Sequence, residues 1–131
     1  MSAPGEVVGG RYRLERELGR HGSAVTFLAT EATSGRRLVL KRFHLHGSLP
    51  TESPALFEER AKILARLDHP AIQRFVEFLR RDAGGDTVCD LVLEYAEGES
   101  LAALAAAGRR FTETEVRELL RQGAAALAWL H

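Results

Sequence analysis

The chain is poor in cysteine, asparagine and lysine. It has one cysteine, Cys89, and no asparagine, and its 18 basic residues include only two lysines, Lys41 and Lys62. A single cysteine excludes an intramolecular disulfide and cannot build a metal site alone, and its place in an apolar run predicts a buried structural thiol. The formal net charge is +0, so the overall charge favours neither nucleic acid nor an acidic membrane surface as a partner. No apolar run approaches the roughly 18 residues of a membrane-spanning helix, and we expect a cytoplasmic protein.

The spacing of apolar residues predicts an α+β fold. Residues 1–10 contain one proline and three glycines, and we expect them to be a flexible leader. Alternation and β-branched content predict five strands, at residues 11–18, 25–30, 38–43, 72–81 and 87–95. Helical spacing and capping residues predict three helices, which begin at Ser53–Pro54, at Leu101 and at the capping box Thr112–Glu115. The first should stop near Asp68 because Pro70 follows.

Lys41 lies on a predicted strand whose two faces differ. Alternation places Leu38 and Leu40 on one face, and Val39, Lys41 and Phe43 on the other. A lysine among apolar residues is unusual unless its charge has a partner. The alternative is an edge-strand lysine whose ammonium group reaches water.

Five local segments, taken in order, carry a family resemblance. They are "RYRLERELG", "LVLK", "ILARLDHPAI", "LVLEYAEGESL" and "ALAWLH". In this order and spacing the sequence resembles the start of a eukaryotic-type (Hanks-type) bacterial Ser/Thr protein kinase, over residues 11–131. The resemblance implies an N-lobe at 11–97, with a five-stranded antiparallel sheet, one regulatory helix and the hinge, and the first two helices of a C-lobe at 98–131.

The resemblance also implies a site for ATP. Lys41 matches the strand lysine that holds the α- and β-phosphates, and Leu93 matches the gatekeeper at the back of the adenine pocket. The other matched positions cover the phosphate loop, the adenine slot, the hinge and the ribose contact, and they are Leu18, Gly19, Thr26, Val39, Glu94, Ala96 and Ser100.

The phosphate loop departs from the family pattern. Gly19 matches its first glycine, but the second falls on His21 and the third on Ala24, while Gly22 lies one place late. Glycines recur in such loops because backbone amides approach phosphates closely only where side chains do not intervene. The segment therefore predicts a hairpin turn whose phosphate cradle is weakened.

The regulatory helix departs as well. Counting back nine residues from His69 reaches the family's helix glutamate, and this residue is Arg60. Helical spacing places Arg60 on the inward stripe, which is formed by Leu56, Ile63, Leu64 and Leu67. Two cations about 4 Å apart repel by roughly 4 kcal/mol at an effective dielectric constant near 20, so we expect the helix to swing out or Arg60 to turn away from Lys41. A one-residue shift of the helix would instead bring in Glu59, and an arginine without a role is the remaining alternative.

Phosphoryl transfer by kinases requires an aspartate that orients the substrate hydroxyl, and an aspartate and an asparagine that hold Mg²⁺. In the family these loops follow the position of His131, so we expect the chain as given to be inactive, with weakened ATP binding and with Mg²⁺ only if a catalytic lobe follows.

We expect a C-lobe or a partner protein to cover an apolar helix stripe, formed by Leu119, Leu120, Leu127 and Leu130. Three hypotheses stay open: a kinase fragment, a pseudokinase-type regulatory module that acts by contact with or without nucleotide, and a free-standing interaction domain.

Overall fold

A computed structural model describes residues 5–22, 24–46, 54–83 and 85–130 of the protein. Over these residues the alternating segments form one antiparallel sheet and the segments with helical spacing form three helices. The strands lie in the order β1-β2-β3-β4-β6-β5. In chain order the elements are β1 (Val7–Val8), β2 (Tyr12–His21), β3 (Ala24–Glu31), β4 (Arg37–His46), α1 (Pro54–Ala65), β5 (Phe75–Ala83), β6 (Asp86–Glu94), α2 (Leu101–Ala106) and α3 (Glu113–Leu130).

The described residues divide into two compact units. The first takes its residues from Met1–Leu67 and Arg74–Tyr95 and contains the sheet and α1. The second takes its residues from Asp68–Gln73 and Ala96–His131 and contains α2 and α3. The α+β class and the five expected strands are confirmed, and β1 is an additional strand. The lobe boundaries at 11–97 and 98–131 stay a prediction.

The N-terminal segment is more ordered than its composition indicated. A flexible leader was expected over residues 1–10, but from Gly5 onward the described chain joins the sheet. Val7 and Val8 pair with β2, and the amide of Leu14 donates to the carbonyl of Glu6 at 2.8 Å. Val8 is buried in the core, and this apolar contact opposes the conformational freedom of the neighbouring glycines.

Strand β2 has two register shifts against β3, one between Leu14 and Arg16 and one between Glu17 and Gly19. Each shift adds one unpaired residue, as in a β-bulge, and a one-residue slip moves the following side chains to the other face. Leu14 is fully buried whereas Arg16 is exposed. The first shift therefore explains why Arg16 interrupts the apolar series of this strand.

The core of the first unit lies against one face of the sheet. It consists of Val8, Tyr12, Leu14, Phe27, Ala29, Leu38, Leu40 and Val92. The same face buries an ion pair, in which Nε of Arg42 donates to Oδ1 of Asp90 at 2.8 Å and Nη2 donates to Oδ2 at 2.9 Å. Their side chains are 1% and 5% exposed. Burial lowers the pKa of Arg42, but Asp90 and then Glu6 outweigh it and hold that pKa above its usual value.

Residues at the start of the chain close the curl of the sheet by reaching its last strand. Glu6 accepts a hydrogen bond from Nη1 of Arg42 at 3.2 Å and lies 3.8 Å from Nη1 of Arg81 in β5. A Cβ atom added to Gly9 would lie 3.3 Å from Leu79, also in β5. The residues on either side of β1 therefore lie against β5, the strand at the other edge of the sheet.

Glu77 of β5 provides a second closing contact. Its carboxylate accepts hydrogen bonds from the Tyr12 hydroxyl and the Arg11 guanidinium. Burial, followed by the hydrogen bond and the charge of Glu77, raises the pKa of Tyr12 to about 12. The phenol therefore stays protonated well above the pH at which a free tyrosine ionises.

Helix α1 begins at Pro54 as predicted, and its expected N-cap Ser53 lies outside the described residues. It ends at Ala65, and the amides of Arg66 and Leu67 then bond to carbonyls three residues back, each at 3.1 Å. Such short bonds tighten a last turn. They end the helix before the proline that was predicted to stop it.

Both helices of the second unit have capping residues at their ends. The Ser100 hydroxyl accepts from the Ala103 amide at 3.0 Å at the start of α2, and Gly108, with φ 91°, follows its end. At α3 the Thr112 hydroxyl accepts from the Glu115 amide at 3.1 Å, and the Glu115 carboxylate accepts from the Thr112 amide at 3.0 Å. This reciprocal pair is the capping box that the sequence indicated.

A ring contact connects the short segment Asp68–Gln73 to α3 within the second unit. The His69 and Trp129 ring centroids lie 5.0 Å apart, and Nδ1 of His69 accepts from the Ala71 amide at 3.0 Å. The segment after α1 therefore belongs with α3 rather than with the sheet that follows it in sequence.

Candidate functional site

The face of the sheet opposite the core collects most of the predicted site residues. Register pairs Thr26 of β3 with Lys41 of β4, and Val39 of β4 with Leu93 of β6. Directly paired residues point to the same face, and so do residues two apart on one strand. Thr26, Val39, Lys41 and Leu93 therefore share one face, as the alternation predicted.

Leu18 lies at the second bulge of β2, and this bulge brings Gly19 to the same face. Gly19 pairs with Thr26, and Leu18 is the additional residue beside it. Leu18 is 38% exposed. A Cβ atom on Gly19 would meet nothing within 4 Å, and its φ is not in the left-handed region. Neither backbone conformation nor packing against described residues requires glycine here, so its missing side chain leaves open space beside Thr26.

The tip of the β2–β3 hairpin is tight. His21 pairs with Ala24, so two residues connect the strands, and the first of them, Gly22, has φ 57°. Short hairpins favour glycine at such positions because they require positive φ. Ser23 lies outside the described residues. The glycine at the tip therefore serves the turn, and the predicted hairpin is confirmed.

Lys41 is half-buried and no described residue forms an ion pair or side-chain hydrogen bond with it. Its neighbour Arg42 points to the opposite face, where Asp90 and Glu6 hold it. Two adjacent cations of β4 thus differ in their surroundings. Arg42 is held by carboxylates on the core face, whereas Lys41 has no ionic partner among the described residues.

The predicted inward position of Arg60 is wrong. Arg60 is exposed and Ile63 is 60% exposed, whereas Ala61 is buried. The packing direction of α1 follows from Phe57, whose ring centroid lies 4.9 Å from that of Phe43 on β4. The helix is packed on the sheet while Arg60 is exposed, which agrees with the alternative that Arg60 turns away from Lys41. Glu59 is also exposed and pairs with Lys62 at 3.2 Å.

The hinge positions divide between the two units. Leu93 is buried and Glu94 is half-buried at the end of β6, where the Glu94 amide donates to the Arg74 carbonyl at 2.9 Å. Ala96 and Ser100 belong to the second unit, and both are exposed. Ser100 has a structural role there as the N-cap of α2. The sequence predicted it only as a ribose contact.

Two residue pairs near this site were not predicted. They are the buried ion pair of Arg42 with Asp90 and the aromatic pair of Phe43 with Phe57. Each pair joins residues on different elements, so no local spacing indicates it. The one available signal was a charged residue inside each of two apolar strands, because charges in such places need partners.

Cys89 is fully buried, as predicted for a structural thiol. Burial raises the pKa of this thiol, Arg80 lowers it, and the charges of Asp90, Asp82 and Glu58 raise it. A protonated thiol is a poor nucleophile.

Across the described ranges, no three His, Cys, Asp or Glu residues lie together as a metal site, and no helix is long and apolar enough to cross a membrane.

Comparisons with known proteins agree with the geometry. The protein kinase domain family matches residues 12–131. The chain is 33% identical over 132 residues to serine/threonine-protein kinase pkn2 of Myxococcus xanthus, with 100% of this chain and 15% of that protein covered. It is 36% identical over 139 residues to CBL-interacting protein kinase 29 of Oryza sativa subsp. japonica, with 99% and 30% covered.

A third relative is serine/threonine-protein kinase PknA of Corynebacterium glutamicum, 27% identical over 127 residues, with 96% of this chain and 27% of that protein covered. The chain therefore spans less than a third of the length of each of these three relatives. It matches a part of the domain rather than the whole of any of them.

Proposed function

Since the chain belongs to the protein kinase domain family, we propose that its first unit is the ATP-binding part of a serine/threonine kinase domain. One observation carries the proposal. The Lys41 ammonium has no partner among the described residues and shares a face with Thr26, Val39 and Leu93. This combines an apolar surface for a base with a cation for phosphates, and the open space at Gly19 leaves room beside them.

We propose that binding is weak. A lysine held by a carboxylate is oriented before the phosphates arrive, whereas an unpaired lysine loses side-chain freedom on binding. Arg60 supplies no carboxylate, and His21 and Ala24 stand where two loop glycines are expected. A side chain at either position limits how closely backbone amides approach a phosphate.

The chain as given is proposed to bind nucleotide without transferring phosphate. Bound ATP supplies the transferable phosphoryl group, and Lys41 binds and orients its phosphates. The reaction additionally requires an aspartate at the acceptor hydroxyl and groups that hold Mg²⁺. The sequence contains no asparagine, so we assign the remaining steps to residues outside this chain.

The two lysines of the sequence provide a matched test. A ligand that binds only the folded state raises the melting temperature, and about 10 mM ATP at a Kd of about 1 mM adds roughly 1.4 kcal/mol. We expect ATP to shift the melting temperature by a few degrees and Lys41→Met to abolish this shift. Lys62→Met, at an exposed position of α1, should retain it. No shift of the unmodified chain at millimolar ATP would refute nucleotide binding by this segment.

A pseudokinase-type regulatory or interaction module that no longer binds nucleotide is the second candidate, and Arg60 at the helix glutamate position favours it. The ATP-induced shift of the unmodified chain separates the two, because this second candidate predicts no shift, and the Arg60→Glu substitution in the full-length protein tests the role of position 60. Arg60 is exposed, so if α1 turns position 60 toward Lys41 when ATP binds, this variant should show a larger ATP-induced shift in melting temperature. Equal shifts in both proteins would exclude the missing carboxylate as a cause of weak binding.

We also propose that the apolar stripe of α3 is covered in the whole protein by a C-lobe or a partner protein. Its members are exposed: Leu119 at 38%, Leu120 at 68%, Leu127 at 58% and Leu130 at 45%. A contiguous exposed apolar surface of this kind marks an interaction site or an aggregation liability. Self-association of the chain that disappears when Leu120 and Leu127 are replaced by Gln would support this proposal, and unchanged association would contradict it.

A further inference from the structure

Helix α1 packs on the sheet without an ion pair to the strand lysine. No described residue pairs with Lys41, and Arg60 is exposed. The acidic residues of α1 do not replace it, because Glu58 and Glu59 are both exposed and Glu59 pairs with Lys62 on its own helix. Contacts other than an ion pair with Lys41 therefore hold α1, which packs mainly against β5 and β6.

The contact beside Lys41 is aromatic. Phe43 lies two residues after Lys41 and therefore on the same face of β4. Its ring centroid lies 4.9 Å from that of Phe57, with the ring planes tilted by 54°. Aromatic pairs prefer tilted arrangements with centroids 4.5–7 Å apart. One turn along α1, Ala61 is buried, and its small side chain lets the helix backbone approach the sheet closely.

We propose that the Phe43–Phe57 pair positions α1 against the sheet and takes the place of an ion pair between the helix and Lys41. This inference extends the proposed function by naming what positions the helix beside the nucleotide face, but the docking itself does not require bound ATP. Phe43 and Phe57 are proposed as positioning residues, which act by holding α1.

An aromatic contact and an ion pair respond differently to salt. Salt screens exposed charges, with a Debye length of about 3 Å at 1 M, whereas apolar burial does not weaken in this way. If Phe57 holds α1, its docking should be insensitive to salt. If charges hold it, docking should loosen as the salt concentration rises.

Cys89 is a built-in reporter of α1 docking. It is the only cysteine of the chain, it is fully buried, and it pairs with Phe43 across β4 and β6. The charge of Glu58, on α1, contributes to the raised pKa of its thiol, which places the helix near the sulfur. A thiol reagent should therefore react with Cys89 only when α1 moves away or the unit unfolds.

The experiment measures the labelling rate of Cys89 by a thiol reagent, without nucleotide, in the unmodified chain and in variants of α1. We expect Phe57→Ala to accelerate labelling about tenfold, equivalent to about 1.4 kcal/mol, and Phe57→Leu to give an intermediate rate. The matched control is Ile63→Ala on the exposed side of the same helix, which should change the rate less than about twofold, in keeping with a surface substitution. Equal rates in Phe57→Ala and Ile63→Ala would overturn the proposal.

Two further measurements cover the case in which Phe57→Ala unfolds the unit. Far-ultraviolet circular dichroism distinguishes global unfolding from a local opening, and Phe57→Leu tests the contact with a smaller loss of packing. Labelling of the unmodified chain between about 0.05 and 1 M NaCl needs no variant, and a change of less than about twofold supports aromatic docking. A large increase with salt would show ionic docking and refute the proposal. Because ATP is absent, none of these outcomes depends on nucleotide binding.

Discussion

The buried pair of Arg42 and Asp90 should respond differently to single and double replacement. Asp90→Leu removes one partner and leaves a guanidinium in a site where its side chain is 1% exposed. The double variant Arg42→Met with Asp90→Leu removes both charges and keeps side chains of similar volume. In the unmodified protein the two hydrogen bonds from Arg42 to Asp90, at 2.8 and 2.9 Å, show that the guanidinium and the carboxylate meet side by side.

The magnitudes follow from the cost of an unpaired buried charge. Breaking such a pair costs about 3–5 kcal/mol, whereas replacing both partners by apolar residues is often neutral or stabilising by about 1–4 kcal/mol. Glu6, 3.2 Å from Nη1 of Arg42, keeps a partial partner in the single variant, so we expect the lower end, about 3 kcal/mol. This is a large part of the roughly 5–15 kcal/mol that stabilises a typical domain.

Urea unfolding followed by circular dichroism measures both effects as changes in the free energy of unfolding. Similar m-values in all three proteins would show that the unfolding reaction is unchanged. The reasoning is refuted if Asp90→Leu costs less than about 1 kcal/mol, the upper end of what an exposed pair typically contributes. It is also refuted if the double variant is as unstable as the single one.

Three further predictions concern the helix caps, a glycine and a tyrosine. Thr112→Ala should lower the free energy of unfolding by about 1 kcal/mol because it removes the N-cap of α3. Thr114→Ala on the same turn should change that free energy by less than about 0.5 kcal/mol. Equal losses in the two variants would contradict the capping role of Thr112. Gly9→Ala should lower the melting temperature more than Gly10→Ala, because both have positive φ but only Gly9 has a side chain, from β5, at 3.3 Å; equal losses would show that this contact is unimportant. The folded-state pKa of Tyr12 is raised to about 12 from 10.0. The stability that this tyrosine contributes to the fold is therefore complete below pH 10 and is lost as the pH rises toward 12, because only the unfolded state ionises over this range. The free energy of unfolding of Tyr12→Phe should decline less steeply over the same pH range, and an identical decline would contradict the shift.

Local patterns predicted most of the elements. Strand alternation located Lys41, Val39 and Phe43 on one face, and the register confirms this. The capping box at Thr112 gave the start of α3 within one residue. These features depend on residues close in sequence, so spacing alone carries the information.

The face on which α1 packs could not be predicted in the same way. Leucines at helical spacing indicated a stripe that included Arg60 and Ile63, yet both are exposed and Ala61 is buried. An amphipathic pattern gives an apolar face about 100° wide or more. The direction of packing within that face depends on the partner, here Phe43 of β4.

By itself, the sequence determined the kinase-like order of elements, the position of Lys41 and the departures at His21, Ala24 and Arg60, because each is a matter of local pattern or residue identity. Only the tertiary structure decided that Arg42 pairs with Asp90, that Glu6 and Gly9 reach β5, and that Phe57 packs against Phe43. These contacts join residues far apart in the chain. Their energies depend on burial and mutual geometry, which arise only when the sheet curls and its two faces acquire different neighbours.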